Sequence, residues 1–247
     1  MLSTTFIAVI LLASLSAITT LVGVGLAILF EKSIRGIVVG LGFSAGIMLM
    51  LSFFELIPGS LSIAGIPKTL LAVFLGILLI ASLNFIIPHT HFIEEKGKFN
   101  SRLLKSAYLI AFGLILHDFP EGFAMANSYI FSPALGILVA LSIAIHNIPE
   151  EFAMAIPLVV TRKRSLLIKM ALLSALAEPL GAIFGLFAVT LAPSLNPLFM
   201  AFAAGAMVFV SIHELLPMAK RYKKTNLFIE GILFSIITYW ILHMIIS

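Results

Sequence analysis

Residues 2–30 contain no charged side chain, and comparable apolar runs return all the way to the carboxyl terminus. At ~1.5 Å per residue, a helix of that length exceeds the roughly 30 Å hydrocarbon layer of a bilayer. No water inside such a layer can bond a free peptide group, so the backbone has to satisfy itself. A secretory leader would have a basic start and a shorter apolar core, so residues 3–30 read as a retained first transmembrane helix. Hydrophobic residues make up 61% of the 247 and charged residues 11%, which places the whole chain in the membrane rather than in water. There is no cysteine, so any metal must be held by imidazole, carboxylate or amide groups.

Charge and proline divide the rest into seven further spans, at about 36–57, 68–88, 103–126, 134–160, 166–191, 198–218 and 227–246. The reading is an all-α polytopic membrane protein in which residues 1–247 form one eight-helix domain, with a lipid bilayer as its surroundings. Fourteen of the fifteen Lys and Arg residues fall after the first, third, fifth and seventh spans, and only Lys68 falls on the other side. By the positive-inside rule both termini face outward. Because the basic residues sit in short loops between spans, the net charge of +4 does not point to a nucleic-acid partner. Residues 42–58 align without gaps on 201–217 at a constant offset of 159, with Phe, Ala, Gly, Met, Ser, Glu and Pro recurring. The two segments run in opposite directions, so the spans are expected to form inverted repeats, the usual build of secondary transporters around a midplane site.

The chemistry lies in residues 117–122, His-Asp-Phe-Pro-Glu-Gly, and their echo at 146–151, His-Asn-Ile-Pro-Glu-Glu. On a helix His117, Asp118 and Glu121 share a face, and so do His146, Asn147 and Glu150. Both motifs lie about 20 Å along their helices, near mid-membrane. A charge at that depth costs about 2.5–3.5 kcal/mol even on lenient scales. No Lys or Arg lies deep enough to pair with these carboxylates or with Glu178, so a shared divalent cation is the economical solution. Structural glue or a proton relay would account for a single acidic residue, but a repeated five-residue pattern argues for ligands. Glu55, Glu151, His213 and Glu214 are further candidates for metal or gate roles, with Glu55 and Glu214 expected to flank the centre on opposite sides. His89, His91, Glu94 and Glu95 form a loop cluster, and His243 reads as a residue of the interfacial aromatic belt.

With HDFPEG, HNIPEE, the stretch Ala177-Glu178-Pro179-Leu180-Gly181 and eight spans, the chain resembles the ZIP family (Zrt-, Irt-like proteins) of metal transporters, and its bacterial zinc-uptake branch in particular. The resemblance covers essentially the whole chain. It implies import of divalent metal into the cytoplasm through a mid-membrane binuclear site. By position, the first site would comprise His117, Glu121, His146 and Glu150. The second would comprise Asp118, Glu121, Asn147, Glu150 and Glu178, with Glu121 and Glu150 bridging. Two departures, Asp118 for the usual Asn and Glu151 for the common Gly, add carboxylate. The resemblance and the two-imidazole, two-carboxylate first site imply Zn2+ first, and the added carboxylate admits Fe2+, Mn2+, Co2+ and Cd2+ beside it. The expected setting is multi-pass in the cell (inner) membrane, with a homodimer as the assembly. A metal-selective channel is the alternative within membrane transport. An intramembrane metalloenzyme would need His-Glu-x-x-His, whereas the order here is His-x-x-x-Glu.

Overall fold

The uncharged amino-terminal run forms one uninterrupted helix, α1 (Leu2–Leu29), in the computed structural model, which describes residues 2–30, 33–86, 117–160, 162 and 164–246. Helix α2 starts at Ile34–Met50, widens into a π-helical turn at Leu51–Leu56 and ends as Ile57–Ala64. Ser33 caps its start, its Oγ accepting the Gly36 N–H at 3.1 Å. Helix α3 (Ile66–Ile86) follows, then α4 (117–131), α5 (Pro133–Val160) and α6 (Arg164–Leu191). A 3-10 turn at Pro193–Leu195 leads into α7, which runs Asn196–Val210, π-helical Ser211–Leu215 and Leu216–Arg221. Helix α8 is Thr225–Ile246. Among the described residues seven helical rods are long and apolar enough to cross a membrane, and α4 adds a further helical segment. The predicted start of that helix at 103 and the 89–95 cluster lie outside the described residues.

Two predicted loops are shorter than expected. The 59–67 connection contracts to Gly65, whose φ of 75° turns α2 directly into α3. The 127–133 connection contracts to Ser132. Pro58 does not stop α2, because the π turn before it supplies the room that a proline ring needs against the carbonyl four residues earlier. Pro217 follows the π turn of α7 in the same way.

Apolar side chains such as Leu11, Phe74, Phe187 and Ile245 face outward, whereas the buried set includes many polar and charged residues. That distribution is inverted relative to a soluble domain and suits a lipid exterior. Helix α1 packs along α5 and α6, α2 along α5 and α8, and α3 along α7. Helices α2 and α7 touch reciprocally at their π turns: Ser52 Oγ lies 3.4 Å from the Ala204 carbonyl oxygen, and Ser211 Oγ 3.4 Å from Met48 Sδ.

Candidate metal centre

Close helix crossings bring the polar residues together. Where α4 passes α6, a Cβ on Gly122 would stand 1.9 Å from the Glu178 carbonyl oxygen, and one on Gly181 2.1 Å from that of Phe119. Only glycine permits this approach, and it sets Glu121 beside Glu178. Helix α1 meets α5 at Gly23, against the Ile148 carbonyl, and α2 meets α5 at Gly40, against Pro149. Ser44 Oγ donates to the His146 carbonyl oxygen at 3.0 Å, fixing α2 to the second motif.

All seven residues expected as principal ligands converge in this region: His117, Asp118, Glu121, His146, Asn147, Glu150 and Glu178 are each at most 3% exposed. His117 Nε2 lies 2.7 Å from Glu150 Oε1 and 3.3 Å from Asp118 Oδ1. His146 Nδ1 lies 2.9 Å from the Ser142 carbonyl oxygen. A carbonyl only accepts, so Nδ1 carries the proton and Nε2 faces Glu121 Oε1 at 3.3 Å and Glu150 Oε2 at 3.7 Å. In the neutral ring those are three acceptors turned toward one point, which is the arrangement a cation would join.

Two groups have ligand atoms within 4.8 Å of one another: Glu121, His146 and Glu150, and Asp118, Glu121 and Glu178. Glu121 belongs to both. Glu121 Oε2 and Glu178 Oε2 are buried without a hydrogen-bond partner among the described residues. Unpaired acceptors of this kind are costly in a low-dielectric interior, and a divalent ion would satisfy them.

Glu151 reaches the same cluster through α6. Ser174 Oγ stands 2.5 Å from Asp118 Oδ2 and 2.7 Å from Glu151 Oε1, so one hydroxyl hydrogen lies between two carboxylates. Glu214, on the α7 π turn, is buried, whereas His213 is exposed and stacks on Phe209. Glu55 is in neither ligand group. It accepts from Tyr239 Oη at 2.5 Å and lies 3.1 Å from His243 Nδ1, tying α2 to α8. His243 stacks with Tyr239 and meets Trp240 edge-on, as an aromatic-belt residue would, but it is also a partner of Glu55.

The sequence reading missed the hydroxyls. Ser174 on α6 and Ser16 and Thr20 on α1 bond candidate ligands directly. For the two on α1 the sequence signal is position: Ala13, Ser16, Thr20, Gly23 and Ala27 recur at three- and four-residue spacing along one face.

Comparison with known proteins agrees with this picture. A family model described as ZIP Zinc transporter matches residues 88–245. The chain is 39% identical to the Zinc transporter ZupT of Chlorobium phaeovibrioides, over 91% of this chain and 92% of that protein. It is 41% identical to the Zinc transporter ZupT of Chlorobaculum parvum over 78% and 80% of the two chains. With the protein of the same name from Streptococcus mutans, identity is 37% over 90% and 91%.

Proposed function

Because the chain belongs to the ZIP zinc transporter family, we propose that it imports divalent transition metal into the cytoplasm through two adjoining ion positions at mid-membrane. Membership makes it a metal transporter and not an enzyme. The observation that carries the two-ion reading is Glu121, whose carboxylate belongs to both ligand groups. One ion would be held by His117, Glu121, His146 and Glu150, a two-imidazole, two-carboxylate set that suits tetrahedral zinc. The other would be held by Asp118, Glu121, Asn147, Glu150 and Glu178, an oxygen-rich set that admits iron, manganese, cobalt and cadmium after zinc. Asp118, Glu121, Glu150 and Glu178 supply four negative charges, which two divalent ions balance.

Glu151 and Glu214, buried beside the cluster, and the exposed His213 next to Glu214 are assigned to ion entry and release, and Glu55 to a gate on the π turn of α2. An inverted repeat is supported by the π turns of α2 and α7, which fall at matching positions of the 159-residue offset. The repeat, outward-facing termini, a single domain, residence in the inner membrane and a homodimeric assembly complete the reading. Transport would alternate access, one helix group moving against the other.

Uptake into proteoliposomes tests this function with a panel of Zn, Fe, Mn, Co and Cd. We expect saturable uptake with zinc preferred. Flux that rises without saturation would favour a channel, and no metal flux at all would refute the assignment.

A further inference from the structure

Helix α1 contributes no charge, yet two of its hydroxyls reach the centre. Ser16 and Thr20 are fully buried, and Asn147 Nδ2 lies 3.0 Å from Ser16 Oγ and 3.4 Å from Thr20 Oγ1. The same nitrogen donates to Glu178 Oε1. The amide nitrogen, and not its oxygen, faces this side. The amide therefore has two hydrogens and three acceptors around them.

Packing alone does not require hydroxyls here. The close approach of α1 to α5 is permitted by Gly23, and Ala13 and Ala27 fill the same buried stripe without any polar atom. A hydroxyl on a membrane helix can also turn to its own backbone, as Ser14 does to the Ile10 carbonyl oxygen at 2.7 Å. Ser16 and Thr20 instead lie against the one amide in the cluster, and Ser16 also hydrogen-bonds the Glu178 carboxylate that the amide reaches.

We infer that Ser16 and Thr20 are positioning residues for the second ion: they hold Asn147 by its two N–H groups and keep its Oδ1 available as a neutral ligand. The inference rests on the reading of Asn147 and Glu178 as ligands of that ion. When the ion claims Glu178 Oε1, the amide loses one of its three acceptors. Ser16 Oγ and Thr20 Oγ1 remain, one for each hydrogen, so no buried donor is orphaned. Without them the amide either keeps its bond to Glu178, withholding that oxygen from the metal, or carries an unpaired hydrogen in a dry site.

Calorimetric binding of Zn2+ and Mn2+ to the purified full chain tests this. Ser16→Ala with Thr20→Val removes both hydroxyls at nearly constant volume, and Thr20→Ser alone retains both. Affinity for the second equivalent should fall about tenfold in the double variant, while Thr20→Ser stays near wild type. In an Asn147→Asp background there is no amide hydrogen to hold, so adding the double substitution should change binding by less than about twofold. Unchanged binding in the double variant would overturn the inference, and so would an equal loss in the Asn147→Asp background, which would mark the hydroxyls as packing. If the double variant does not fold, Thr20→Val compared with Thr20→Ser in the two backgrounds gives the same decision. A wild-type chain that binds no second ion would instead defeat the two-ion reading beneath it, a result separable from the others.

Discussion

Asp118 shows how much of the centre depends on single atoms. One of its oxygens lies 3.3 Å from His117 Nε2 and the other 2.5 Å from Ser174 Oγ, so it links the histidine of α4 to α6. Asp118→Asn removes one charge but keeps an oxygen. We expect transport to persist, second-ion affinity to fall, and Mn2+ to lose more than Zn2+, read as competition in uptake. Glu55 makes the opposite case. Its partners are Tyr239 and His243, so Glu55→Ala should leave metal binding at the centre intact while lowering uptake and thermal stability, the latter by about 1 kcal/mol for lost hydrogen bonds. Loss of binding in that variant, by calorimetry, would make Glu55 a core ligand. The histidines and carboxylates were legible in sequence because charge in an apolar run demands an explanation. Ser16, Thr20 and Ser174 were not, because a hydroxyl can satisfy itself on its own helix and spacing does not say which neighbour it faces.

The helices explain why the motifs meet. Glycine at 122 and 181 lets α4 and α6 touch backbone to backbone, and this sets Glu121 beside Glu178. Gly122→Val should force these helices apart and cost second-ion binding, while the group of Glu121, His146 and Glu150 retains an ion. Metal content per chain measures the outcome, and two ions retained would show that the crossing does not set the distance. Among the described residues, the spans follow the order expected from the alternation of apolar runs with basic loops. Helix ends could not be read in this way. Pro58 and Gly59 look like a stop signal, but the π turn at Leu51–Leu56 absorbs the proline and α2 continues to Ala64. A π turn has no residue signature of its own. A second one, at Ser211–Leu215 in α7, likewise shows only in the folded chain.

Across the whole molecule, the account requires an asymmetric membrane protein with a metal pathway through its middle. The absence of cysteine makes orientation directly measurable. Single cysteines at Ser62 and Ser132 should react with an impermeant maleimide from outside, and those at Arg162 and Lys223 only after the membrane is opened. Labelling of all four from one side would contradict the eight-span layout and the inverted repeat with it. Charge distribution is what leads the sequence to expect that layout, whereas the grouping of helices around the centre depends on glycine contacts that only the folded chain displays. The central claim is that two divalent ions share Glu121. Metal content per purified chain, by mass spectrometry on wild type and Glu121→Gln, tests it most directly. The account predicts two ions per wild-type chain, at most one in the variant, and uptake nearly abolished; two ions retained with uptake intact would contradict it.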